Sequence, residues 1–143
     1  MSTVARQSPG KVNLLLNILR KREDGFHELE TLMQPVQLSD RLEVAKAAAG
    51  LTLTCSNAEL PVDGTNLVHK AAAAFLSAAR ITDGVKIHLE KIIPLAAGMG
   101  GGSSNAAHTL CALNELFGQP LSSAKLHELA AALCSDVPFF LQS

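Results

Sequence analysis

Residues 97 to 104 read Ala97-Gly98-Met99-Gly100-Gly101-Gly102-Ser103-Ser104, with four glycines in five consecutive positions. Each glycine costs backbone entropy on folding, so such a density needs a reason. Phosphate binding supplies one. Glycine lets backbone N–H groups turn inward and approach an anion closely, and a helix starting just beyond presents its positive end to the same charge. Ser103 and Ser104 add hydroxyls where a phosphate oxygen or a Mg²⁺ ion would sit. The plain alternative is a flexible turn capped by Ser103. Spacing excludes two phosphate loops. A Walker A loop needs a Lys after its last glycine, and none follows Gly102. The dinucleotide fingerprint G-x-G-x-x-G fails because Gly98-x-Gly100 is followed by Ser103, and no acidic ribose binder stands on a second strand about 20 residues later. A non-Walker nucleotide loop remains.

Other reactive residue types are dispersed. His69, His88, His108 and His127 show no H-x-x-x-H spacing, and Cys55, Cys111 and Cys134 form no C-x-x-C pair, so neither a zinc centre nor a disulfide framework is indicated. Glu28 and Glu30 share a strand face, which reads as a solvated surface rather than an acid/base pair.

The elements that would carry these residues follow from periodicity. Val12, Leu14, Leu16 and Ile18 alternate with Asn13, Leu15 and Asn17, the period of a strand over Val12 to Ile18. Lys21-Arg22-Glu23-Asp24-Gly25 ends in a turn dipeptide, and Phe26 to Leu38 resumes the extended pattern, so the two read as a long hairpin. Arg41 to Ala45 and Leu51 to Cys55 are shorter strands, read as separated by turn or loop residues. Asn66 to Ile81 carries a helical stripe at Leu67, Ala71, Phe75 and Ala78. Val85, Ile87 and Leu89 then alternate with Lys86, His88 and Glu90 in a half-buried strand leading through Pro94 into the glycine segment. A helix with Ala106, Leu110, Leu113 and Phe117 on one face ends at Gly118 and Pro120, and a last one, Ser123 to Cys134, is expected to bury Leu126, Leu129, Ala130 and Leu133. Strands first and helices afterwards predict an α+β fold rather than a doubly wound one.

With 143 residues the chain is one domain's worth and can bury a core without staples. A net charge of -1 argues against a nucleic-acid or anionic-membrane platform, and the absence of Trp and Tyr argues against base-stacking surfaces. No stretch approaches about 18 consecutive apolar residues, and residues 1 to 10 lack a signal core, so a cytoplasmic protein is expected.

The stretch Pro94-Leu95-Ala96-Ala97-Gly98-Met99-Gly100-Gly101-Gly102-Ser103-Ser104-Asn105-Ala106-Ala107 resembles the ATP-binding motif of the galactokinase, homoserine, mevalonate and phosphomevalonate (GHMP) kinase superfamily. Within it, Ser8-Pro9-Gly10-Lys11-Val12-Asn13-Leu14, Asp24-Gly25-Phe26-His27 and Ser135-Asp136-Val137-Pro138-Phe139-Phe140 resemble the motifs of the branch acting on a cytidine diphosphate-linked methylerythritol in the non-mevalonate isoprenoid pathway. The resemblance implies the GHMP N-terminal domain, an α+β fold like ribosomal protein S5 domain 2. It is incomplete here, because such kinases continue well past the Asp136 motif into a second domain. The chain thus looks like roughly the first half of a two-domain kinase, inactive as a piece and with an uncovered apolar face that can drive self-association.

The same resemblance implies the roles. The loop with Pro94, Ala96, Ala97, Gly98, Met99, Gly100, Gly101, Gly102, Ser103 and Ser104 wraps the phosphates of ATP, the two serines standing near Mg²⁺. Asp136 accepts a hydrogen bond from the attacking hydroxyl, and Lys11 lies close by to keep the carboxylate ionised and offset charge on the phosphoryl group. Asn13 is placed at the hydroxyl end of the substrate, and Phe26 and His27 at its cytosine. Phe26 stands where Tyr is commoner, Gly10 where Ala is, and Ala96 and Ala97 where some members have glycine. No nucleic acid or membrane partner is implied. The readings to be distinguished are this kinase, a GHMP kinase for another small alcohol, and a non-catalytic nucleotide-binding fragment.

Overall fold

The computed structural model describes residues 3–21, 27–95 and 98–141, and their side chains except those of 14–21 and 27–32. The hairpin forms as two long antiparallel strands, β1 (Thr3–Lys21) and β2 (His27–Ala47), while the expected Asp24-Gly25 turn lies outside the described residues. Both strands depart from the periodicity reading. β1 begins nine residues before Val12, because beyond Val4 its early inward-facing residues Arg6 and Ser8 are polar and escape a hydrophobicity count. Arg6 Nε donates to His108 Nδ1 at 3.1 Å, and Ser8 Oγ lies 2.8 Å from Ser104 Oγ. Likewise Arg41 to Ala45 is not a separate strand but the end of β2, which runs unbroken through Ser39 and Asp40. Asp40, which falls between the two expected strands, is fully buried and its carboxylate is satisfied by other elements.

Strands β3 (Leu51–Cys55) and β4 (Gly84–Glu90) complete a four-stranded sheet of order β1-β2-β4-β3. β4 runs antiparallel to β2 but parallel to β3, and helix α1 (Leu67–Ala79) makes the crossover between the parallel pair. The α+β assignment holds, with one parallel edge that alternation alone cannot reveal. Asn66 caps α1, its Oδ1 accepting from the Val68 N–H at 2.8 Å. The buried stripe of α1 is Val68, Ala71, Ala72 and Phe75, turned slightly from the expected one.

Helix α2 (Gly101–Leu116) is the central element, with every residue from Ser103 to Leu110 buried. It packs on β1 and β2 and touches α1, α3 (Ser123–Leu133) and the single turn α4 (Val137–Phe140). The core joins Leu42, Val44, Ile87 and Leu89 of the sheet to Phe75, Leu110, Leu113 and Phe140 of the helices. Each such side chain stabilises the fold by about 1.5–3 kcal/mol. α3 is more peripheral than expected: Ala130 is buried, whereas Leu126, Leu129 and Leu133 are only partly covered. α4 is an addition, too short for a periodic signal. All three cysteines are free, and no helix among the described residues is long and apolar enough to cross a membrane.

His108 of α2 is 1% exposed, and burial, with Arg6 next to it, pulls its pKa from 6.5 to about 4. Because the folded value lies below the unfolded one, the unfolded chain binds the extra proton between those pH values. Stability is therefore full above about pH 6.5 and falls as the pH drops toward 4. Urea unfolding at pH 7 and pH 5 is expected to show a loss of about 2 kcal/mol from this group. His108→Gln should flatten that slope; an unchanged slope would assign it to other residues.

Candidate active site

The predicted phosphate segment is the N-terminal end of α2 and the loop before it. Gly98 and Gly100 take left-handed φ of 73° and 68°, and Gly100 is the helix N-cap with no side chain capping the turn. The first helical bond is donated by the Ser104 N–H to the Gly100 carbonyl at 2.8 Å. The N–H groups of Gly101, Gly102 and Ser103 therefore precede the helical ladder and carry its positive end.

Lys11 meets this loop from β1. Its backbone N–H donates to the Met99 carbonyl at 2.7 Å, and its ammonium donates to the Gly98 carbonyl at 3.1 Å and to Asn13 Oδ1 at 3.4 Å. A register irregularity between Pro9 and Lys11 sets up this contact, since it leaves Gly10 and Lys11 both buried where regular alternation would separate them. Lys11 is 6% exposed rather than the surface strand residue that spacing alone suggests. All its hydrogen-bond partners here are neutral oxygens, and among the described residues it forms no ion pair with Asp136 or any other carboxylate. A nearly buried cation so placed favours an incoming anion.

Asp136 sits at the N-cap position of α4, yet its side chain makes no capping bond, so the carboxylate is not spent on holding the turn. α4 is pinned on the loop by Phe140: a methyl group built on Gly100 would stand 2.9 Å from Phe140 Cζ and 3.2 Å from Lys11 Cε. The Lys11, glycine and Asp136 motifs, far apart in sequence, thus converge around Gly100. Gly10 is held almost as closely, since a Cβ there would lie 3.3 Å from Ile93 Cδ1, Met99 Cε and the Met99 carbonyl.

A cavity of about 290 Å³ opens beside the helix end, walled by Leu60, Asn66 and Leu67 on one side and by Lys91, Pro94, Gly101 and Gly102 on the other. A larger hollow of about 350 Å³ lies on the outer face of the sheet over Thr54 and His88, away from the glycine loop. The first is the better ligand site, because it alone adjoins the N–H groups of the helix end.

The remaining predicted positions are dispersed. Ser103 and Ser104 both fall in the first turn of α2, but Ser104 is fully buried with its hydroxyl against Ser8, so Ser103 fits a metal-bound phosphate better. Among the described residues no group of three His, Cys, Asp or Glu could hold a metal by itself. Phe26, Ala96 and Ala97 lie outside the described residues, and so does the side chain of His27. The backbone of His27 pairs with Lys21, along the ribbon from Asn13 by at most about 26 Å. Two register irregularities between Asn13 and Arg20 bend that span.

Sequence reasoning assigned no role to Asp40, Lys91, Asn66 or Ser8. Asp40 and Lys91 form an ion pair of 2.7 Å at 0% and 3% exposure. The one available signal was an acidic residue between two stretches of extended pattern.

Comparison with known proteins adds the following. The family described as "GHMP kinases N terminal domain" matches residues 66–143. The chain is 53% identical over 94% of its length to the 4-diphosphocytidyl-2-C-methyl-D-erythritol kinase of Syntrophus aciditrophicus, covering 48% of that protein. It is 44% identical over 99% of its length to the enzyme of the same name from Chlorobium phaeobacteroides, again covering 48% of it. A crystal structure of 4-(cytidine 5'-diphospho)-2C-methyl-D-erythritol kinase superposes with a TM-score of 0.85 at 45% identity, over 97% of this chain and 49% of that one. A mevalonate kinase, at 15% identity and a TM-score of 0.71 over 91% of this chain and 46% of that one, shares the fold. The chain spans about half the length of the curated relatives it matches.

Proposed function

Since this chain belongs to the GHMP kinase family, we propose that it forms the ATP-binding part of an enzyme that phosphorylates the 2-hydroxyl of 4-diphosphocytidyl-2-C-methyl-D-erythritol. The observation that carries the proposal is the uncapped end of α2 facing a nearly buried Lys11 whose partners among the described residues are neutral. Identity of 44–53% to kinases named for that substrate supports the choice of acceptor.

In this reading the N–H groups of Gly101, Gly102 and Ser103 donate to the phosphate oxygens of ATP, and the adjoining cavity takes the nucleoside. The Lys11 ammonium steadies charge on the phosphoryl group as it moves, an arrangement worth more in a site that excludes water. Asn13 orients the acceptor hydroxyl. The oxygen of that hydroxyl forms the new bond to the γ-phosphorus, the bond from that phosphorus to the β-bridging oxygen breaks, and the proton passes to the Asp136 carboxylate. Phe26 and His27 take the cytosine, the former by stacking. Mg²⁺ bound with ATP would neutralise phosphate charge, and Ser103 would help the phosphates to hold it.

Release of ADP by the full-length natural protein, followed in a coupled assay, tests the proposal. Turnover is expected with the cytidine-linked methylerythritol and not with mevalonate or homoserine. Turnover with either of the latter and none with the former would assign a different member of the family.

A further inference from the structure

Asp40 does not line the cavity itself, yet its carboxylate bonds Lys91 of the cavity wall and holds both ends of the glycine loop. Oδ1 accepts from the backbone N–H groups of Ile92 at 2.6 Å and Ile93 at 2.8 Å, immediately before Pro94. Oδ2 accepts from Lys91 Nζ at 2.7 Å and from Asn105 Nδ2 at 3.0 Å, immediately after Ser104. Asn105 in turn accepts from Lys91 at 3.0 Å and donates to Ser8 Oγ at 2.8 Å, which lies 2.8 Å from Ser104 Oγ. Four donors therefore converge on one fully buried carboxylate, two before the loop on the backbone, one on Lys91 and one beyond it.

We infer that Asp40 is a positioning residue for nucleotide binding, closing the glycine loop at its base so that the N–H groups of Gly101, Gly102 and Ser103 face one point. This rests on the loop being the phosphate site. A buried ion pair is a poor source of stability, because desolvation of the two charges offsets most of their attraction. Its value lies in geometry: several short bonds to one carboxylate fix the separation of residues 91–93 from residue 105 more tightly than apolar packing would. The pair also holds Lys91 against the cavity wall, its Nζ 3.0 Å from where a Cβ on Gly101 would stand.

Asp40→Asn keeps the shape and removes the charge that orients the donors. In the full-length natural protein, KM for ATP is expected to rise about ten-fold, while KM for the alcohol acceptor stays within about two-fold. A merely structural ion pair would reduce the amount of folded enzyme and leave both constants alone. An unchanged KM for ATP overturns the inference, and so does a lower one, which would mean that the pair restrains Lys91 from the phosphates. Ser8→Ala leaves the ion pair intact and should raise KM for ATP about two- to three-fold, so it decides the matter if Asp40→Asn does not fold. Hydrogen exchange without nucleotide separates this inference from the kinase reading. Faster exchange at residues 98–104 in the variant supports the inference even if the natural protein shows no ATP turnover, and unchanged exchange there overturns it.

Discussion

Replacing Asp136 by alanine is expected to lower kcat about 10²–10⁴-fold while KM for ATP stays within about two-fold. The carboxylate stands at the head of α4 without capping it, so removing it takes no hydrogen bond from the fold. The loss should fall on the step in which the acceptor hydroxyl gives up its proton, since the proposed function assigns the phosphates to backbone groups and Lys11. The thermal midpoint should hardly move, because Asp136 is only half-buried and anchors no other element. Steady-state kinetics on the full-length natural protein, with thermal unfolding of the same samples, measure both. Retention of full turnover would remove Asp136 from the mechanism. A loss of turnover matched by a loss of folded protein would return it to a structural role.

Gly100→Ala should be as severe by a different route. At φ 68° an alanine pays about 1–2 kcal/mol for the left-handed conformation. Its methyl group would also meet Phe140 at 2.9 Å and 3.0 Å and Lys11 Cε at 3.2 Å, and relief requires the ring, and with it α4, to move. Overpacking of this kind costs about 1–3 kcal/mol. Since the displaced groups carry Asp136 and Lys11, a misplacement of about 1 Å is enough to lower kcat/KM about 100-fold. Gly98→Ala is the matched control. Gly98 has a similar φ of 73°, but a Cβ there meets nothing within 4 Å, so it isolates the conformational cost from the clash. Equal losses in the two variants would show that Phe140 and Lys11 do not depend on the closeness of Gly100. Urea unfolding and kcat/KM of both variants, measured side by side, provide the comparison.

The parts of the fold legible in the sequence are those where apolar spacing coincides with burial. Val85, Ile87 and Leu89 are inward-facing residues of β4, and the glycine run does lead from that strand into α2, with Gly101 and Gly102 already in its first turn. The apolar stripe read over Asn66 to Ile81 locates α1 to within two residues at either end. What stayed hidden is polar and buried. Arg6, Ser8 and Asp40 face inward, but each is satisfied across about 50 to 100 residues of chain, which no local pattern can report. Lys11 reads as a surface residue because alternation assumes a regular strand, and the irregularity at Pro9 breaks that assumption. The grouping of Lys11, Gly100 and Phe140 depended on recognising motifs, since nothing in their separate spacings links them.

The long reach of those contacts sets an order of events in synthesis. Lys11 cannot bond Met99, nor Ser8 reach Ser104, until the chain has been made past α2, and Phe140 cannot close over Gly100 until the last turn is out. β1 and β2, neighbours in sequence, can pair early; the contacts they make with the glycine loop and α2 must wait for sequence made about 90 residues later. During that interval the inward polar edge of β1 has only water for a partner. A nascent chain therefore cannot assemble the glycine loop with its neighbours from β1 and α4 until nearly all of these residues have left the ribosome.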